Sequence, residues 1–139
     1  VAALDKIHDA VVRALEKDGW TITDDPLQLQ IGKRNLSVDL GAERSLIGAE
    51  KDVRRIAVEI KTFGSASPVS DLQQAVGQYS MYESVLARMQ PDRELYLAIS
   101  REARNTIFGE ELGRLMLAEY IHRIVCIDIE SEEILEWNP

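Results

Sequence analysis

The sequence predicts an α/β fold of the α+β kind: a central mixed sheet flanked by helices, on an α-β-β-β-α-β core with extra helices and strands toward the C-terminal end. Three observations carry this. Leu4, Ile7, Val11, Val12 and Leu15 recur with a helical period. Residues 36–40 and 55–61 alternate apolar and polar side chains, as half-buried strands do. A long helical stretch from Ser70 then runs into the apolar segment Leu95 to Ser100.

Each element has its own signature. The first helix is expected over residues 3–18, ended by Gly19, whose freedom at positive φ suits the residue after a helix. From Trp20 the period changes to alternation. Trp20 and Ile22 lead to the Asp24-Asp25-Pro26 turn, and Leu27, Leu29 and Ile31 lead to the Gly32-Lys33 turn, giving a strand or a bent pair. Leu36, Val38 and Leu40 alternate with Ser37 and Asp39, which sets Asp39 on the face opposite the three apolar residues. Ile56, Val58 and Ile60 then form one face of the next strand, and Ala57, Glu59 and Lys61 the other. Ser70 is the expected N-cap of the long helix, with Gln73 three residues on. Leu72, Val76, Tyr79, Leu86 and Met89 form its buried stripe. Strand, long helix and strand in succession imply a parallel, right-handed crossover. A helix or two across 101–119, a strand at 122–129 and a closing strand at 134–137 extend the sheet.

The 139 residues, 45% of them hydrophobic, supply one core and are too few for two ordinary domains, so residues 1–139 are expected to form a single domain. No linker, repeat or low-complexity tract divides them. Cys126, inside Ile124-Val125-Cys126-Ile127, reads as a core filler in a reducing compartment. With neither a signal peptide nor a membrane-length apolar stretch, the expectation is a cytoplasmic protein with no membrane partner. Trp20 and Trp137 are expected to pack on the sheet. The acidic segment Asp128 to Glu136 reads as a solvated edge, or as an edge strand that pairs with a second subunit.

A net charge of −8 opposes tight non-specific binding to nucleic acid, which draws on a surplus of Lys and Arg. Any DNA contact must then be local, or a partner supplies the basic surface. Positive charge clusters at Lys33-Arg34, Arg44, Lys51, Arg54-Arg55, Arg101 to Arg104 and Arg114, and several of these flank the acids discussed next.

Asp39 and the triplet Glu59-Ile60-Lys61 each stand at the end of an expected strand. Metal-dependent phosphodiester cleavage needs hard oxygen ligands for Mg²⁺ or Mn²⁺, a charge near the attacking water, and stabilisation of the charge that develops on phosphorus oxygens. Asp39 and Glu59 offer carboxylates, the Ile60 carbonyl offers a further ligand, and Lys61 projects an amine on the same face as Glu59. Gln74, Gln78 and Tyr82 recur every four residues on the long helix and form a polar stripe able to overlook the strand ends. Blander readings stand beside these. Asp39, Glu59 and Lys61 also suit cross-strand pairs on a solvated sheet, and Tyr82 suits a packed core tyrosine. His8, four residues from both Leu4 and Val12, reads first as a satisfied core histidine and second as a catalytic one. Glu43 and Glu50 flank the loop between the key strands and read as solvated charges or as outer ligands to the metal.

This order of elements and these residues resemble the PD-(D/E)XK nuclease superfamily, whose restriction-endonuclease-like fold takes its acids from the second and third core strands and its lysine two residues after the second acid. Gln78 and Tyr82 resemble the Gln-x-x-x-Tyr signature of the RecB-like branch. The chain departs in having Val38 where the motif name has proline, and in offering Asp5, His8 and Asp9 on the first helix where relatives often offer glutamate. A closer resemblance covers nearly the whole chain. His8-Asp9, Lys17-Asp18-Gly19-Trp20-Thr21-Ile22-Thr23, Asp25-Pro26, Val38-Asp39-Leu40-Gly41-Ala42-Glu43, Ala57-Val58-Glu59-Ile60-Lys61, Gly77-Gln78-Tyr79 and Pro91-Asp92-Arg93 are similar to the XisH family, the fdxN element excision controlling factors of cyanobacteria.

The resemblance implies an accessory role in site-specific excision of a DNA element, beside a site-specific recombinase and an XisI-like protein. Together with the motif it implies an Mg²⁺-dependent endonuclease in which Asp39, Glu59, Lys61, Gln78 and Tyr82 are catalytic and Asp39, Glu59 and the Ile60 carbonyl hold the metal. A homodimer is expected if both strands of a duplex are to be cut. The rival expectation is a non-catalytic regulatory module of the same fold that docks an XisI-like protein, as the −8 charge suggests. A restriction-like or toxin-like nuclease would differ only in its biological setting.

Overall fold

Helix α1 (Ala2–Lys17) brings Val11, Ala14 and Leu15 into one apolar layer, with Ile7 and Val12 at its margin, following the predicted stripe. Gly19, at φ 93°, releases the chain from the helix. The structure is a computed structural model that describes residues 2–45 and 53–139, so Glu50 and Lys51 lie outside the described residues. Strand β1 (Thr21–Asp24) follows, then the hairpin of β2 (Leu27–Ile31) and β3 (Arg34–Val38), then β4 (Leu40–Ser45) and β5 (Val53–Ile60). Helix α2 (Pro68–Met89) leads to β6 (Arg93–Ser100). A short helix α3 (Arg101–Asn105), a 3-10 turn (Ile107–Gly109) and helix α4 (Glu111–Glu119) connect β6 to β7 (Ile124–Asp128) and β8 (Glu133–Asn138).

Six strands form one mixed sheet in the order β1-β4-β5-β6-β7-β8. The central β5, β6 and β7 run parallel with helical crossovers between them, and the outer pairs are antiparallel. The succession α1-β1-β4-β5-α2-β6 is the predicted core, and β7 and β8 extend it. Alternation along the central strands separates two apolar layers. Ala57, Leu95, Leu97 and Ile99 face α2 and Phe108, whereas Ile56, Val58, Tyr96, Ala98 and Ile127 face α1.

The sequence misplaces the chain between residues 20 and 40. Residues 20–31 hold two strands in two different sheets, because β1 pairs with β4 while β2 and β3 form a separate two-stranded sheet. Leu36, Val38 and Leu40 do not share a face: Leu36 and Val38 pack in the α2 layer and Leu40 in the α1 layer. The break falls at Asp39. Its N–H donates to Glu59 Oε1 at 3.2 Å and its Oδ2 accepts from the Ile60 N–H at 2.8 Å. Side chains here satisfy backbone groups that a continuous ladder would otherwise pair, so the strand can end on one sheet and restart on the other.

The N-cap of helix α2 is Ser67, three residues before the predicted cap Ser70. The Ser67 hydroxyl accepts from the Ser70 N–H at 3.2 Å, and Pro68 stands in the first turn, where its missing N–H loses no intrahelical bond. Leu72, Tyr79 and Leu86 are buried and Val76 is packed at the margin, but Met89 on the last turn is exposed. Trp20 is buried, and its indole N–H and that of Trp137 both donate to Asp18 Oδ2 at 3.2 Å. Cys126 is buried, which pushes its thiol pKa up, as befits a core filler. Among the described residues no helix is long and apolar enough to cross a membrane.

Candidate metal centre

The antiparallel register of β4 and β5 sets Leu40 opposite Val58, so Asp39, one residue earlier, comes to lie beside Glu59 at the C-terminal end of β5. The ladder to β6 continues through Lys61, whose N–H donates to the Ala98 carbonyl at 3.0 Å. Lys61 therefore keeps the strand alternation and shares a face with Glu59. Its Nζ donates to Gln74 Oε1 at 2.8 Å. Because the Ile60 N–H points at Asp39, and a strand residue turns its N–H and C=O to the same side, the Ile60 carbonyl is directed toward the acid pair as well.

Each carboxylate commits one oxygen to a backbone N–H, Asp39 Oδ2 to Ile60 and Glu59 Oε1 to Asp39. Glu59 is 8% exposed. Burial first, and the neighbouring Asp39 charge second, push its carboxyl up to about 8, with Lys61 pulling the other way. Two adjacent acids, one nearly buried, favour either a retained proton or a cation between them. Two carboxylates and a carbonyl make a hard-oxygen set that fits Mg²⁺ or Mn²⁺, ions that keep several waters and share phosphate oxygens. They do not make a closed cage: no group of three or more His, Cys, Asp or Glu suited to a metal converges among the described residues.

A cleft of about 380 Å³ opens on the pair, and Asp39, Glu59, Ile60, Lys61 and Gln78 all line it. Tyr82 is half-buried, and its hydroxyl pKa is raised by burial and then by the charges of Glu59 and Asp39, which places it within reach of their field. Asp5, Ile7 and His8 close the cleft from α1, and Thr62 from beyond β5. His8 is thus no core histidine. Its side chain is 30% exposed and its Nε2 lies 2.8 Å from Asp25 Oδ1, because this turn of α1 overhangs the strand ends and not the apolar layer. A second, apolar cleft of about 320 Å³, walled by Val11, Phe63, Ile99 and Ile127, adjoins the first through Ile7, Ile60, Lys61 and Thr62.

Several candidates stay apart. Glu43 pairs with Arg55 across the two strands, four residues or about 13 Å from Glu59, and so is no outer ligand. The arginines that flank the acids in sequence also sit at that far end: Arg44 pairs with Asp18 and covers the Trp20 ring, and Arg54 pairs with Glu94. Glu50 falls outside the described residues. Two partners escaped the sequence reading. Gln74 belongs to the polar stripe, but its hold on Lys61 depends on how α2 seats against β5, and Asp25 reaches His8 across 17 residues with no local signal.

The model of the XisH protein family matches residues 1–135. No curated protein matches the chain significantly. Two solved structures do. An XisH family protein from Nostoc punctiforme PCC 73102 is 38% identical, with a TM-score of 0.86 over 96% of this chain and 99% of that one. An fdxN element excision controlling factor protein from Anabaena variabilis is 36% identical, with a TM-score of 0.85 over 97% of this chain and 99% of its own. A family match over almost the entire length and agreement in fold with both structures show that the chain belongs to the XisH family.

Proposed function

We propose that this chain is a controlling factor for site-specific excision of a DNA element and acts by Mg²⁺-dependent phosphodiester cleavage at a PD-(D/E)XK-type site. The observation that carries the proposal is the convergence of Asp39, Glu59 and Lys61 on one cleft at the end of β5. The description of the Anabaena variabilis neighbour as an excision controlling factor supports the biological setting. Asp39, Glu59 and the Ile60 carbonyl would hold the ion. When bound, it supplies Lewis acidity toward a phosphate oxygen and makes water a better nucleophile. The Lys61 amine, steadied by Gln74, orients the attacking water or balances the charge gained by the phosphate oxygens. Gln78 offers its amide to the DNA from the cleft wall; Tyr82 does not line the cleft but packs against the α2-side core within the field of Glu59 and Asp39, from where it would position the strand.

A second reading keeps the fold and drops the chemistry: a regulatory module that docks an XisI-like protein in company with a recombinase. What favours it is the state of the arginines. Arg13, Arg44, Arg54, Arg55, Arg93, Arg101, Arg104 and Arg123 are each ion-paired to a carboxylate within the chain, which leaves little cationic surface for DNA. Calorimetric titration with Mn²⁺ separates the two. Under the nuclease proposal the wild-type chain takes up the ion and Asp39→Ala or Glu59→Ala weakens uptake by at least about 10-fold, within the range set by loss of one carboxylate ligand. Equal uptake by wild type and both variants would remove the metal site.

A further inference from the structure

The hairpin β2–β3 stands outside the main sheet and has two unlike faces. Leu27, Leu29 and Val38 are buried in the α2 layer, with Ile31 and Leu36 at its margin, so the ribbon is rigidly seated. The opposite face presents Gln28 across from Ser37 and Gln30 across from Asn35, all four exposed. Ser37 Oγ donates to Gln28 Oε1 at 3.1 Å, which fixes that amide with its N–H groups available. Lys33 and Arg34 crown the tip after Gly32 at φ 57°, and neither takes part in an ion pair among the described residues. In a chain with 24 acids, residues 27–38 contain none. Val38, at the foot of the ribbon, is followed directly by Asp39.

We infer that this hairpin enters the major groove of duplex DNA and reads base edges beside the cleft. The inference rests on the nuclease reading above and adds the element that chooses where the chain sits. A two-stranded ribbon is one of the two shapes that a major groove about 12 Å wide admits, and Gln and Asn amides bond bidentately to adenine N6 and N7. Five residues per strand give a ribbon of about 15 Å, enough to lie across the groove while its foot stays at the acid pair. The tip cations then meet phosphates, where their unpaired state matters most in a chain of net charge −8. A protein partner is the poorer occupant, because the outer face has no aromatic or aliphatic side chain to anchor an interface.

The test is selection of bound duplexes from a random-sequence pool with Ca²⁺ in place of Mg²⁺, comparing wild type with Gln30→Ala/Asn35→Ala and with Lys33→Glu, and with Mn²⁺ uptake measured on each. The expected result is a short motif enriched by wild type and lost in the double variant, with Lys33→Glu binding a mixed duplex about 10-fold more weakly at low salt. Mn²⁺ uptake unchanged in both variants shows that the fold and the metal pair survive. If wild type and the double variant enrich the same motif, or wild type retains duplex and enriches nothing, the hairpin does not read bases and the nuclease reading still stands. A wild-type chain that takes up no Mn²⁺ and retains no duplex overturns both.

Discussion

Glu59 concentrates the tension of the molecule in one side chain, since a carboxyl that is nearly buried beside a second acid holds its proton up to about 8. The unfolded chain releases the same proton near 4.5, so between these values the folded state binds more protons than the unfolded one. Stability from this group is fully present below pH 4.5 and is lost as pH rises through about 8, at a slope of up to about 1.4 kcal/mol per pH unit. Urea unfolding of the metal-free protein between pH 5 and about pH 8 should show that decline, and Glu59→Gln should flatten it. Identical slopes in the two proteins would mean that Glu59 is not strained against Asp39. Glu59 and Lys61 share a face as the period-2 alternation along residues 55–61 predicts, whereas the alternation read around Asp39 breaks at that residue, and its place beside Glu59 comes from the β4–β5 register. The role of His8 is not legible, because its neighbours at four-residue spacing mark a helix face and say nothing of where that face runs out.

At the scale of elements, helix placement depends on backbone approach as much as on apolar stripes. Gly113 opens the first turn of α4 to the preceding 3-10 turn: a Cβ there would lie 1.9 Å from the Ile107 carbonyl oxygen and 2.7 Å from its carbon. No rotamer relieves a clash with backbone. Gly113→Ala should therefore destabilise the fold by about 2–3 kcal/mol, read as a lower urea midpoint, although alanine is the better helix former. Unchanged stability would show that α4 is free to shift. The same dependence explains what the sequence left hidden. The crossover β5-α2-β6 was readable from a strand, a long helix and a strand, but the division at Asp39 is made by side-chain bonds to Glu59 and Ile60 across 20 and 21 residues. The cap at Ser67 was obscured by Ser70, a residue of the same type whose own N–H is the group being capped.

Across the whole molecule, charge is distributed by pairing and by omission. Among the described residues eight arginines stand in internal ion pairs, most of them away from the cleft, while the only acid between residues 60 and 82 is Asp71, which is buried and bonded to Ser65. Residues 27–38 are also free of acids, so the hairpin and α2 flanks of the Asp39–Glu59 pair add no carboxylate but the buried Asp71, while Asp5 and Asp25 stand on the α1 side. Composition alone, summed to −8, conceals that arrangement. The most direct measurement is cleavage of supercoiled plasmid and branched DNA at low ionic strength in Mg²⁺ or Mn²⁺, with wild type beside Lys61→Ala. Cutting that requires the divalent ion and falls by at least about 100-fold in Lys61→Ala is the expected result. Intact substrate with folded wild-type protein, or equal cutting by the variant, would contradict it.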